Sequence, residues 1–186
     1  MSKVTVGMTM SVDGYVTDRQ GSLLPLYTDF ATLLASEPLR ESIRDTGAVI
    51  MGRHAFDMAE DPDSYADDYE YQVPIFVLTL HPPVKHPRES NKVKITFVQE
   101  GIIQAIQLAS IAAGEKDVTI IGGASTLRQC IQLGLADELH VDIMPILLGG
   151  GLRMFDELDL DPLQLERISV VALPAGRTCV KFRFIK

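Results

Sequence analysis

"VTIIGGASTLRQC", Val118 to Cys130, runs from four β-branched residues through two glycines into apolar residues at helical spacing. A short β-branched run reads as a buried strand, and the three-and-four spacing that follows reads as an amphipathic helix. Strand, tight turn and helix start in immediate succession describe one unit of an α/β fold. Two glycines let a backbone approach a ligand closely, and the free N–H groups of Ala124, Ser125 and Thr126 would point at an anion. The stretch differs from a G-x-G-x-x-G fingerprint and lacks the lysine of a G-x-x-x-x-G-K-[ST] phosphate loop, which disfavours a nucleotide triphosphatase. A plain glycine turn feeding a packed helix is the competing reading.

The same design occurs earlier, in "VIMGRHAF", Val49 to Phe56. Here an apolar strand stops at Gly52, and Arg53 stands where a helix begins. Such a turn can hold a phosphate, the guanidinium adding a bidentate contact; a glycine turn with a solvated arginine fits equally well. Two such turns in one chain point to a ligand with two phosphate-bearing ends or a pyrophosphate.

Outward from these turns, strand-like runs cover Val4 to Val12, Ala48 to Met51, Pro74 to Leu80, Val93 to Val98, Val118 to Ile121, Glu138 to Ile143, Leu163 to Leu173 and Thr178 to Ile185. Helical patterns fill several gaps. "SEPLRESIRD" offers Ser36 as N-cap with Pro38 in the first turn, "GIIQAIQLASIAAG" ends at Gly114, and "ASTLRQCIQLGL" ends at Gly134. Strands separated by helices imply crossovers and a largely parallel sheet, whereas the last two runs, joined by "PAGR", read as an antiparallel hairpin. The class is α/β with a mixed sheet of about eight strands. The acidic Glu60–Gln72 and the proline-rich His81–Lys92 read as surface loops. With no linker or repeat, residues 1–186 are expected to form a single domain.

At 186 residues and 46% hydrophobic composition, the chain can bury a core without disulfides or metal. Seventeen Lys and Arg against 25 Asp and Glu give a net charge of -8, which argues against nucleic acid as the main partner. Cys130 and Cys179 both fall in apolar patterns and read as core thiols of a reducing compartment. The N-terminus alternates like a strand rather than a signal peptide, and no run approaches a membrane span, so a cytoplasmic protein is expected.

Three further places carry chemistry. Asp13-Gly14 in "MSVDGYVTD" is a strong turn pair, and Asp13 also falls at a strand end, where ligands gather in open α/β sheets. "ELHVDIMPILLGGGLRMF" sets Asp142 within an apolar strand and follows it with Gly149 to Gly151. Such an acid is paired, faces a polar pocket, or sits on the exposed face of an edge strand. The four histidines show no metal-ligand spacing, and no nucleophile elbow occurs, so neither metal nor acyl-enzyme chemistry is expected.

"VTVGMTMSVDGYVT", "VIMGRHAF", "IFVLTLHP", "VTIIGGASTL" and "ADELHVDIMPILLGGGLRMF" together resemble the dihydrofolate reductase-like fold, in its order and spacing. The closest likeness is to the branch containing the reductase domain of riboflavin biosynthesis, the RibD C-terminal domain. The resemblance covers nearly the whole chain and implies an NADPH-dependent reductase acting on a pyrimidine- or pterin-type heterocycle, and a homodimer. It implies that Gly52 and Arg53 lie near the adenosine phosphates, Thr79 near the 2′-phosphate, and Gly122, Gly123, Ala124, Ser125 and Thr126 under the pyrophosphate. Asp13 would lie by the nicotinamide and substrate, as catalytic candidate, with Asp142 and Gly149 as further substrate positions. Asp29, in "LLPLYTDFATLL", approximates the pterin-binding acid of dihydrofolate reductases, and also suits an N-cap before Phe30.

Departures accompany the likeness. Ala55 stands where dihydrofolate reductases carry threonine, and Leu80 and His81 follow Thr79 where relatives often place arginine or serine. His81 or Lys85 are the available substitutes. A phosphorylated substrate would need another cation, for which Arg153 and Lys85 are the candidates. The H-x-E and P-C-x-x-C signature of the deaminase domain often fused to that reductase does not occur. Dihydrofolate reductase activity and a non-catalytic nucleotide-binding module are the alternative functions.

Overall fold

The computed structural model describes residues 2–156, 158 and 161–186. Among them eight strands form one sheet in the order β4-β3-β2-β5-β1-β6-β8-β7. The strands are β1 (Val4–Ser11), β2 (Thr46–Gly52), β3 (Ile75–Leu78), β4 (Ile95–Val98), β5 (Asp117–Ile121), β6 (Glu138–Met144), β7 (Leu165–Ala172) and β8 (Thr178–Phe184). The first six pair in parallel; β8 is antiparallel to both β6 and β7. Every strand run read from the sequence is present, as is the hairpin at "PAGR", closed by Leu173 and Arg177.

Among the described residues five α-helices accompany them: α1 (Phe30–Leu34), α2 (Glu37–Asp45), α3 (Arg53–Phe56), α4 (Ile102–Ala113) and α5 (Ala124–Gln132). Ser36 caps α2 as expected, its hydroxyl accepting from the Leu39 N–H. On α4, Ile102, Ala105, Ala109 and Ala113 fall on one face and pack against β2, β3 and β5.

The sheet is buried on both faces at β2, all seven of whose residues are buried. Ala48 and Ile50 join Val4, Val6, Val118 and Ile120 under α4 and α5, while Val49 and Met51 join Phe56, Tyr65, Ile75 and Val77 opposite. Each fully buried Ile or Val stabilises the fold by about 1.5–3 kcal/mol. No helix among the described residues is long and apolar enough to cross a membrane.

The proline-rich His81–Lys92 connects β3 to β4 without a helix, as read; Pro82, Pro83 and Pro87 lie in it and each lacks the N–H a helix interior requires. One expectation for the connections needs correction. Glu60–Gln72 is not merely a surface loop. Its aromatic residues pull it inward: Tyr65 and Tyr71 are buried, and Tyr65 stacks on Phe56 with ring centroids 4.9 Å apart. Of its acids, Glu60, Asp61, Asp67 and Asp68 are exposed, whereas Asp63 and Glu70 are partly buried.

Candidate functional site

Parallel strands all end on one edge of the sheet, and ligands bind beyond that edge. Asp13 follows β1, Arg53 follows β2, Thr79 follows β3, Gly122 follows β5 and the glycine run at Gly149 follows β6. The shared strand direction therefore gathers these sequence candidates along one rim.

The two glycine turns meet there. The Gly52 N–H points at the Gly122 carbonyl at 3.4 Å. A Cβ added at Gly52 would fall 2.6 Å from Thr126 Oγ1, and one at Gly123 would fall 3.3 Å from the Gly52 backbone. Side chains at either position would fill the space between the turns. Gly123 has φ 78° and begins α5 without any side-chain cap, which leaves the first-turn N–H groups of Ala124, Ser125 and Thr126 without an intrahelical acceptor.

Arg53, at the start of α3, is already engaged. Its Nε donates to both carboxylate oxygens of Asp57 at 2.7 and 2.8 Å, and Nη1 donates to the His81 carbonyl. Thr79 joins the same cluster, donating to that carbonyl at 3.2 Å and accepting from the His81 N–H at 3.1 Å. Arg53, Thr79 and His81 are thus one constellation, with Asp57 as an acid the sequence reading had not considered. Lys85 instead pairs with Asp63, and Arg153 lies over the Tyr15 ring, 4.6 Å from its centroid.

Asp13 clasps the two loops flanking the rim. Its carboxylate accepts from the Ser11 hydroxyl at 2.6 Å, the Leu148 N–H at 3.1 Å and the Gly149 N–H at 2.8 Å. The Ser11 bond, followed by these backbone donors, lowers its pKa to about 2, so at neutral pH Asp13 is an ionised acceptor with no proton to give. Backbone bonds from Val12, Val16 and Met154 extend the clasp. The glycines permit it: a Cβ at Gly151 would fall 1.9 Å from the Thr17 carbonyl oxygen.

Below the rim lie two adjoining cavities. The outer one, about 220 Å³, reaches Gly122, Gly123, Ala124 and His54; the inner one, about 140 Å³, lies between the sheet and the α1–α2 region. Strand alternation explains the inner floor. Val4, Val6, Val118 and Ile120 turn to the core, so Thr5, Gly7 and Thr9 of β1, Thr119 of β5, and His140 and Asp142 of β6 turn to the cavity. Asp142 therefore lies on an interior strand rather than an edge. It faces the cavity, and Arg177 Nη1 stands 3.6 Å away.

Asp29 stands at the N-cap position of α1 but caps nothing. Its two oxygens take the Nε and Nη2 of Arg177 at 2.9 and 2.6 Å. Those Arg177 bonds hold its carboxyl below the usual range against the opposing effect of burial, and both oxygens are spent. Arg177 itself is 0% exposed; its Nη1 also donates to Thr9 Oγ1 and its Nη2 to the Leu26 carbonyl.

Two residues escaped the sequence reading. Arg177 sat in a hairpin turn, where arginine is ordinarily solvated, and no local pattern marks it. Glu70 sat in an acidic run, yet it lines both cavities, and burial raises its pKa. The flanking Tyr69 and Tyr71 were the available signal, since aromatic residues in an acidic segment must pack somewhere.

Comparison with known proteins agrees with this architecture. The uncharacterized protein YyaP of Bacillus subtilis (strain 168) is 23% identical over 164 residues, covering 82% of this chain and 80% of its own. A protein assigned to riboflavin biosynthesis from Shewanella sp. PV-4 superposes with a TM-score of 0.75 at 24% identity, over 99% of each chain. A dihydrofolate reductase from Enterococcus faecalis, solved with NADP(H), shares the fold at a TM-score of 0.62 and 13% identity, over 99% of this chain and 97% of its own. The RibD C-terminal domain matches residues 2–178, and with a parallel sheet whose rim carries paired glycine turns, the chain belongs to the RibD C-terminal domain family.

Proposed function

We propose that the protein is a single-domain, NADPH-dependent reductase that transfers hydride to a C=N or C=O bond of a small heterocyclic substrate. The observation that carries this reading is the meeting of the two glycine turns above the outer cavity, a cradle that any Cβ at Gly52 would fill. Family membership and the NADP(H) bound by the E. faecalis enzyme of the same fold support it.

In this reading, the N–H groups of Ala124, Ser125 and Thr126 hold the pyrophosphate, and Arg53 with Thr79 meets the adenosine phosphates. The bound nicotinamide supplies the hydride. Gly7, Met8, Thr9, Tyr27, Glu70 and Ile121 border both cavities, so this shared wall is where cofactor and substrate come together. The chain contributes orientation and exclusion of water, and the Asp13 clasp fixes the rim above them. Titrating the purified protein with NADPH and with NADH, by fluorescence or calorimetry, tests the reading; binding of neither overturns it.

The homodimer implied by the resemblance is part of the proposal. It is supported by exposed Ile168, Val170 and Val171 on β7 and by an apolar cleft between Met10, Val141, Phe182 and Phe184. Analytical ultracentrifugation tests it, a monomer at micromolar concentration counting against it.

A further inference from the structure

The inner cavity has an unusual charge inventory. Two cationic-type side chains line it, and both are spoken for: Lys181 is held by Glu41, and His140 bonds Glu138 at 3.1 Å. Burial lowers the pKa of His140 against the opposing hydrogen bond to Glu138, which favours the neutral imidazole. Arg177, behind the floor, is committed to Asp29. The acids are not balanced in the same way. Asp142 shares Arg177 at 3.6 Å, and Glu70, which lines both cavities, makes no ion pair among the described residues.

Glu70 also has a special location. It is half-buried, it borders both cavities, and the phenol rings of Tyr27, Tyr65, Tyr69 and Tyr71 are the titratable groups electrostatically coupled to it. A carboxyl removed from water and given no cation is stabilised by whatever ligand brings N–H donors to it. Aromatic walls favour a planar ring as the carrier of those donors. A phosphate dianion entering the same cavity would meet Glu70 and Asp142 and find no unpaired cation.

We infer that Glu70 is the substrate-recognising acid of this site, and that the inner cavity takes an uncharged or cationic planar heterocycle with adjacent N–H donors rather than a phosphorylated one. The inference deepens the reductase reading and rests on it for the place of the cofactor. Two parallel N–H···O bonds to the carboxyl, as an amino-substituted pyrimidinone edge can make, fix the ring against the shared wall with its reducible bond toward the outer cavity. The substrate class thereby departs from ribosyl phosphates.

Calorimetric titration of the 186-residue chain, with and without saturating NADPH, tests this with three probes: pterin, 5-amino-6-ribosylaminouracil and the 5′-phosphate of that nucleoside. Pterin is expected to bind, and Glu70→Gln to weaken it at least about tenfold, while NADPH affinity and Tm show that the variant is folded. Glu70→Asp, which keeps the carboxyl, should retain part of the binding. The 5′-phosphate should bind no tighter than its nucleoside. Pterin affinity unchanged by Glu70→Gln, a phosphorylated probe bound about tenfold tighter than its nucleoside, or no probe bound under either condition overturns the inference. If pterin binding depends on Glu70 but NADPH does not bind at all, the reductase reading falls and the assignment of Glu70 stands.

Discussion

Arg177 and Asp29, 148 residues apart in sequence, face each other as a two-point ion pair whose guanidinium has no exposed surface. Both Asp29 oxygens accept from Arg177, which makes the pair a structural joint between the final hairpin and the start of α1. Removing Asp29 strips the buried guanidinium of two short charge-assisted bonds and leaves Asp142, 3.6 Å away, as its remaining counter-ion, at a cost of up to about 3–5 kcal/mol. Asp29→Asn should therefore lower Tm by roughly 6–20 °C for a chain of this size. An unshifted melt would return Asp29 to the role of a free, ligand-facing acid.

Asp13 carries a pH signature. Its folded pKa of about 2 lies below the ordinary 3.8, so its contribution to stability is fully present above about pH 4 and is lost as pH falls toward 2. Melts of wild type and Asp13→Ala should differ at pH 6 and converge near pH 2. A difference that persists at pH 2 would show that the carboxylate is not what ties Ser11 to the Leu148–Gly149 loop.

Asp57 competes for Arg53. A phosphate must share a guanidinium already bonded through Nε to both carboxylate oxygens. Arg53→Ala should weaken NADPH binding by one to two decades, the loss expected when a charge-assisted contact worth about 1.5–3 kcal/mol disappears. Asp57→Asn should do the reverse, raising the preference for NADPH over NADH as read from dissociation constants. If both variants bind the two cofactors as wild type does, the 2′-phosphate lies elsewhere.

Glu70 should reveal itself in stability as well as in binding. A carboxyl whose pKa is raised by burial binds its proton more tightly in the folded state, so stability declines as pH climbs above the ordinary value of 4.5. Glu70→Gln should then raise Tm at pH 8 and lose that gain near pH 4. A lower Tm at pH 8 would mean that contacts of the charged carboxyl outweigh its burial.

Much of this architecture was legible because local patterns carried it. Alternation and β-branching marked every strand, and glycine after an apolar run marked both rim turns. The sequence candidates that converge do so because they all follow parallel strands. What could not be read were properties created by distant partners. Asp29 looked like an N-cap or a pterin acid because nothing near it announces Arg177. Asp13 read as a free rim acid because its donors, the Leu148 and Gly149 N–H groups, arrive from the other end of the fold. Glu70 looked solvated because charge is counted along the chain, whereas burial is decided by the tyrosines that fold it inward.

The position of β1 between β5 and β6 bears on how the molecule is made. Val4 finds its neighbour at Val118 and Val6 finds one at Leu139, so β1 must wait for the far half of the sheet before either of its edges is covered. Long-range pairing of this kind slows folding and exposes an apolar strand edge while synthesis continues. A nascent chain halted before Asp117 would hold β1 with no partner on either side, and an aggregation-prone or chaperone-bound species is the state expected there.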